Sequence, residues 1–243
     1  MKNTIDNKDT IISHAKTIRN KFILNMIYKD FYQKILSVNL PKGKIVELGS
    51  GGGFIKEINP KIVTSDVVHS KNIDKVFKAE KMPFKSSGIS AFYLLNTFHH
   101  IKNPTKALTE MERCLKKSGK IVMIEPFNSP WARFIYQNFH QELFDPKTRD
   151  WKIMGRGRLS SANGAIPWVI FVRDVAKFTK KFPNLKINSI KPHTPFSYLV
   201  SGGLSRPQII PSNWYNFFFR LEQLISPLNK IAGMFATYEI VKR

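Results

Sequence analysis

A carboxylate, Glu47, stands at the end of a short apolar run, Ile45 to Leu48, directly ahead of a glycine-dense turn, Gly49-Ser50-Gly51-Gly52-Gly53. The spacing is Glu47-x-Gly49-x-Gly51-x-Gly53. A glycine turn after a strand lets a ligand lie against bare backbone, because glycine has no Cβ to hold it off. A dinucleotide fingerprint, G-x-G-x-x-G, would need glycine where Phe54 stands. The charge of Glu47 also disfavours a phosphate and favours a ligand that carries positive charge. A second acid, Asp66, closes the segment Ile62-Val-Thr-Ser-Asp66. It stands where a doubly wound sheet places the carboxylate that accepts ribose hydroxyls.

Imidazoles supply the other chemistry. His99 and His100 follow an apolar run directly and are the first candidates for a general base, because imidazole titrates near neutrality. His140 and Glu142 are a second pair. Two positions apart, they share a face only in an extended segment. With Asp145 they could form a base and its orienter. A metal site on the same three residues is the lesser alternative, and no metal is assigned to them. The aromatics Trp131, Phe134, Tyr136, Trp168, Phe196, Tyr198, Trp214 and Phe217 could wall an acceptor pocket or pack as local core.

The elements that must position these groups alternate. Apolar residues from Ile11 to Ile35 recur at helical spacing, so 11–38 is expected to be one helix. Strands are expected at 44–48, 61–66, near Lys75–Lys78, and at Ile89–Leu95. The amphipathic run Thr105–Lys117 reads as a helix closed by Ser118-Gly119, and Lys120–Glu125 as a fifth strand stopped by Pro126. Val175–Phe182 reads as a helix, Leu185–Ile190 as a sixth strand and Phe235–Val241 as a seventh. Strand–helix alternation argues for a parallel sheet with helices on both faces, and such sheets bind ligands beyond the carboxyl ends of their strands. Glu47, Asp66, Asn96 and Glu125 all fall at those ends.

The expected organisation is one domain over 1–243. A helical cap spans 1–40, a ligand-binding core 41–126, and two insertions, 127–181 and 191–233, lie on the substrate side as lids. An aromatic helix is expected around Trp214–Ile225. Trp214, Phe217, Phe218, Leu221 and Leu224 would form its apolar face, a candidate for contact with an anionic membrane.

The chain has 243 residues and a formal charge of +22. Charge of that size speaks to partners and solubility rather than to fold. Nucleic acid, an anionic membrane face or an acidic glycan would each suit it, although the lysines are scattered. From Phe171 to Arg243 the only acids are Asp174, Glu222 and Glu239. Cys114 is the only cysteine, so an internal disulfide and a cysteine-rich zinc site are excluded. The opening MKNTIDNKDT is polar and carries acids, so no signal peptide is expected, and the cytoplasm is favoured. The sequence does not fix an oligomeric state.

Taken together, ELGSGGGF, the acid in TSDVV, AEKMPF, LLNTFHHI and LKKSGKIVMIEP resemble class I S-adenosylmethionine-dependent methyltransferases of the type 11 group, over Lys44 to Pro126. The resemblance implies a Rossmann-like, seven-stranded, mostly parallel sheet with an antiparallel last strand. It implies S-adenosylmethionine, a sulfonium with an ammonium group, as cofactor, which agrees with the positive ligand that Glu47 favours. Beyond Pro126, EPFNSPWARFIYQNFHQELFDP, ANGAIPWVIFVRD, SYLVSGGLSRP and MFATYEIVKR resemble a narrower bacterial set associated with surface-polysaccharide or lipid genes. By resemblance, Gly49, Ser50, Gly51 and Gly53 would pack against the methionine and ribose portions, and Glu47 would hold the ammonium through water. Asp66 would accept the ribose hydroxyls and Val67 would flank adenine. Ala79 and Glu80 would line the adenine edge, and Asn96 and Thr97 would close the methionine side. The family commonly has Asp where this chain has Lys78, which offers adenine no acceptor. The acceptor implied is a small molecule, a glycan or a lipid-linked precursor. An RNA methyltransferase is less favoured, because no N-P-P-Y motif, Pro-Cys nucleophile or RNA-binding module is present. A non-catalytic binding protein on the same fold is the remaining alternative.

Overall fold

Strand β1 (Lys44–Leu48) rests on Val46 and Leu48, both buried. Val46 lies opposite Val63 of β2 (Val63–Asp66) and Phe92 of β4 (Ile89–Leu95), in parallel register on both sides. All seven residues of β4 are buried, as expected for a central parallel strand covered on both faces. The edge strand β3 is short, Lys75–Val76, and α3 (Ile55–Ile58) follows the glycine turn. The computed structural model describes residues 8–154 and 161–243, so the start of MKNTIDNKDT and of the helical cap lies outside the described residues.

The sheet order is β3-β2-β1-β4-β5-β7-β6. Strand β5 (Leu115–Pro126) pairs with β4 in parallel and with β7 (Phe235–Lys242) antiparallel; β6 (Leu185–His193) pairs with β7 antiparallel. This is the expected Rossmann-like sheet with an antiparallel last strand, and helices pack around it. The strand order reverses at β1 and β4, which opens the crevice where such sheets bind ligands. The carboxyl ends of β1, β2, β4 and β5 deliver Glu47, Asp66, Asn96 and Glu125 there.

Several boundaries differ from the sequence expectation, each for a tertiary reason. The helix expected over 11–38 is two, α1 (Lys8–Asn20) and α2 (Phe22–Leu36), broken at an extended Lys21. The Lys21 Nζ donates to the carbonyls of Gly203 and Arg206, and Ile23 N donates to Gln208 Oε1 at 3.3 Å. The second insertion therefore caps α2 and outcompetes one continuous helix. Helix α4 (Pro104–Cys114) stops before the expected Lys117, because Leu115 already pairs with Ile89. The Ser118-Gly119 turn becomes an irregularity within β5, with Ser118 at φ +62.

The first insertion begins with α5 (Pro130–Phe139), whose N-terminus is capped by Ser129 Oγ accepting from Ala132 N at 3.0 Å. It continues through α6 (Ile166–Trp168), a π-helical turn at Val169–Arg173, and α7 (Val175–Lys181). Strand β6 runs three residues past the expected Ile190, since His193 still pairs with Phe235. The second insertion carries α8 (Ser197–Val200), α9 (Tyr215–Leu224) and α10 (Asn229–Ala232). Buried Glu222 pins α9 to α8, accepting from Phe196 N at 2.8 Å and from Ser197 N and Oγ at 2.6 and 2.9 Å. Helix α9 docks through Tyr215, Phe219 and Glu222, so Trp214, Phe217 and Leu224 of the expected apolar face stay exposed. No helix among the described residues is long and apolar enough to cross a membrane.

Candidate functional site

One cavity of about 1140 Å³ opens above the carboxyl ends of β1, β2 and β4. Its lining includes Ile18 of α1, Tyr28 and Tyr32 of α2, Trp131 and Tyr136 of α5, and Tyr198 of α8. Gly49, Ser50, Gly51, Asp66, Val67, Ala79, Glu80, Asn96 and Thr97 line one part of it, and His99, His100, His140 and Glu142 another. The sequence therefore brought together nearly all of its candidates.

Two expected wall residues stand behind the wall. Gly53 packs against Asn72, whose Cβ would lie 2.5 Å from an added methyl, so its glycine serves the turn rather than a ligand. Glu47 is buried beneath the turn and does not line the cavity. Asp145 is also elsewhere, accepting from Lys147 N at 2.8 Å. The base-and-orienter pairing expected of it with His140 and Glu142 does not form.

The turn itself fits a ligand. Gly49 has φ +67, and a methyl there would meet Thr97 Cγ2 at 2.3 Å, so only glycine is tolerated. Gly51 has φ +51 and open space where a Cβ would sit, leaving its backbone bare to the cavity. Asp66 accepts from Gly51 N at 3.0 Å and from Val67 and Val68 N at 2.7 and 3.2 Å, which ties the acid to the turn it faces. Burial raises the Glu47 carboxyl to about 7, against lowering hydrogen bonds from Ser50 and Tyr32, with Asp66 adding to the rise. Glu47 Oε2 and Asn96 Oδ1 are buried with no hydrogen-bond partner. Two orphaned acceptors beside a bare glycine backbone suit a cationic, donor-bearing group such as the methionine ammonium of S-adenosylmethionine.

The imidazole end is built on Glu125, at the end of β5 and fully buried. Its Oε1 accepts from Thr97 N at 2.8 Å and Phe98 N at 2.6 Å, and its Oε2 holds His99 Nδ1. The other ring nitrogen, His99 Nε2, faces Glu142 Oε2 at 3.4 Å, and His100 Nε2 lies 3.8 Å from Glu142 Oε1. Burial alone would favour neutral His99, but Glu125 and Glu142 prevail and raise its pKa to about 10. Burial likewise opposes ionisation of Glu142, yet His99, with His100 and His140, brings it down to about 2. Glu125 and Glu142 thus favour the protonated form of His99 and engage both of its nitrogens. His140 reaches solvent over part of its surface, but crowding by protein lowers its pKa. Its Nδ1 accepts from Glu142 N at 3.2 Å, so its neutral form carries the proton on Nε2 and has no lone pair there for a substrate. Tyr28, Tyr32 and Glu125 were not among the sequence candidates for the site. Glu125 had a signal, an acid at a strand end; the tyrosines, on a helix far away in sequence, had none.

Residues 57–123 match the model of a methyltransferase domain. Over 107 residues the chain is 34% identical to an uncharacterised protein of Methanocaldococcus jannaschii, a stretch that is 40% of this chain and 51% of the relative. The chain thus spans about half the length of the curated relative it matches. Among solved structures, an S-adenosylmethionine-dependent methyltransferase of Thermotoga maritima is similar over 86% of this chain and 87% of its own, at 16% identity and TM-score 0.51. A chain from the complex of the Haloferax volcanii Trm112 methyltransferase activator with its methyltransferase is similar over 96% and 94%, at 11% identity and TM-score 0.52. Geranyl diphosphate methyltransferase, solved with geranyl diphosphate and sinefungin, is similar over 90% and 78%, at 10% identity and TM-score 0.50. At these identities the likeness to solved structures is one of fold. The match over residues 57–123 is to a methyltransferase-domain model, and the sheet has the fold seen in S-adenosylmethionine-dependent methyltransferases.

Proposed function

We propose that the chain transfers a methyl group from S-adenosylmethionine to a small-molecule, glycan or lipid-linked acceptor held between its two lids, 127–181 and 191–233. The observation that carries this reading is the continuity of the cavity, from the glycine turn and Asp66 to His99 and Glu142. At about 1140 Å³ it exceeds the roughly 300–1,000 Å³ of a typical single-ligand pocket, which leaves room for cofactor and acceptor together. The solved relative with sinefungin, a cofactor analogue, supports the same ligand on this fold. The cofactor supplies an electrophilic methyl on a sulfonium. The chain's part is to hold and align. Asp66 meets the ribose, Val67 and Ala79 the adenine, and Asn96 and Thr97 the methionine end, with Glu47 behind the turn reaching the ammonium through water. Glu80, which accepts from Asn103 N at 3.3 Å, sits where it can compensate for Lys78 at the adenine edge. Glu142, held ionised, offers the acceptor a hydrogen-bond acceptor at the mouth of the aromatic half.

The lipid-linked branch is supported by the outer surface of the second lid. Trp214, Phe217 and Leu224 are 49%, 56% and 78% exposed, and Leu228 and Ile231 continue the apolar surface. Arg206, Arg220 and Lys230 lie in the same segment, and its one acid, Glu222, is buried. An apolar strip with cations suits peripheral contact with an anionic membrane. We read the compartment as the cytoplasm, and the gene-neighbourhood subset suggested by the sequence as compatible with such an acceptor.

Calorimetric titration with S-adenosylmethionine, with NAD as control, tests the reading. We expect saturable micromolar binding of the first alone. Asp66→Ala should weaken it by about 1–3 kcal/mol, the cost of losing charge-assisted hydrogen bonds. Absence of binding to the wild-type protein would withdraw the methyl-transfer reading; unchanged affinity in the variant would mean that the ribose lies elsewhere.

A further inference from the structure

We propose that His99, His100 and Glu142, at the imidazole end of the cavity, form a binding site for a first-row divalent transition ion. The imidazole nitrogens and a carboxylate oxygen lie within 4.8 Å of one another. Glu142 spans the pair, with Oε2 3.4 Å from His99 Nε2 and Oε1 3.8 Å from His100 Nε2. Ligand atoms about 2.0–2.2 Å from a tetrahedral ion stand roughly 3.3–3.6 Å apart. Contraction of the widest pair by somewhat more than about an ångström, within reach of side-chain torsions, would close the set.

The support behind the ligands is the independent observation. A histidine that binds metal through one nitrogen almost always donates the other N–H to a carboxylate or carbonyl, which fixes its tautomer and orientation. His99 does this through Nδ1 to Glu125, and Glu125 is itself fixed by two backbone N–H donors and fully buried. His99 Nε2 is thereby aimed at Glu142, and an ion bound between the two would displace its proton to solvent. Two imidazoles and one carboxylate suit zinc or ferrous iron rather than magnesium or calcium, which prefer all-oxygen sites. Three protein ligands leave positions open for an oxygen of the acceptor. This grouping is not the one that the spacing of His140, Glu142 and Asp145 suggests, because it joins the start of α4's leading loop to the first lid.

Such an ion would answer a need left by the site. With His99, His100 and Glu142 spent as ligands, the ion would lower the pKa of a hydroxyl oxygen that coordinates it, and the proton would pass to solvent water. This last step rests on the methyl-transfer reading; the metal site does not.

The test uses the full chain, without a histidine tag and stripped with chelator. It is titrated with Zn²⁺, and with Mg²⁺ as the hard-ion control, with and without S-adenosylmethionine. We expect one Zn²⁺ per chain, and His100→Ala and Glu142→Gln should each weaken it by about tenfold or more. Co²⁺ added to the wild-type protein should give the intense visible absorption of a four- or five-coordinate ion, abolished by Zn²⁺, so the result stands even if a variant fails to fold. Absence of Zn²⁺ binding, binding that both folded variants retain unchanged, or a Co²⁺ spectrum like that of the free aquo ion would overturn the site. Because the titration is read without cofactor, failure of S-adenosylmethionine to bind would leave the metal result intact.

Discussion

Glu125→Ala should cost the protein about 3–5 kcal/mol of folding stability, as is usual when one partner of a buried charged pair is removed. The carboxylate is fully buried and serves three donors at once: Thr97 N, Phe98 N and His99 Nδ1. Alanine leaves two backbone N–H groups without acceptors at the end of β4 and strands a buried imidazolium beside Glu142 alone. Glu125→Gln separates the two losses. Its carbonyl oxygen can still accept from the backbone N–H groups, while its amide can donate to a neutral His99 Nδ1. It should retain most of the stability and let His99 titrate well below its wild-type value of about 10. Chemical denaturation measures the first effect, and the NMR titration of the His99 ring the second. Equal stability of Glu125→Ala and wild type would show that His99 is not held as an imidazolium.

This triad shows what a sequence can and cannot carry. The cofactor end was legible because it is local. Strand β1, the glycine turn and Asp66 lie in one continuous stretch, 44–66, and the turn's φ values demand the glycines seen at Gly49 and Gly51. The imidazole end depends on contacts 26 residues apart between His99 and Glu125, and on a lid that swings Glu142 back over both histidines. His99 and His100 were visible as candidates, but their protonation depends on which carboxylates surround them, and no spacing rule supplies that. The same holds for the helix broken at Lys21. Periodicity alone favours continuity, and the break is imposed by Gly203, Arg206 and Gln208, more than 180 residues away. Helix α9 was found in sequence, but its inward face was decided by Glu222 reaching the N-terminus of α8, so Phe217 and Leu224 were left to the outside.

The affinity for S-adenosylmethionine should rise about a hundredfold between pH 5 and pH 8, through Glu47. Its carboxyl is raised to about 7 in the protein, chiefly by burial. Binding a cationic ammonium favours the ionised form, so below about pH 7 the ligand must first displace a proton, and affinity falls by about tenfold for each pH unit. Above pH 7 that cost is gone and the affinity levels off. The stability of the protein without ligand should run the other way. Between the ordinary carboxyl value of 4.5 and about 7, the folded state binds more protons than the unfolded one, so Glu47 makes the fold less stable as pH rises through that window. Buried His193, lowered to about 3 by desolvation with Lys34 adding to it, imposes the opposite slope between 3 and 6.5. The contribution of Glu47 is therefore read as the difference between wild type and Glu47→Gln. In that variant the cofactor affinity should be nearly flat with pH and close to the acid limit of the wild type. Calorimetric titrations at pH 5, 6, 7 and 8 measure both proteins. Parallel profiles would mean that the ammonium is held by other acceptors, with Asn96 Oδ1 the next to examine.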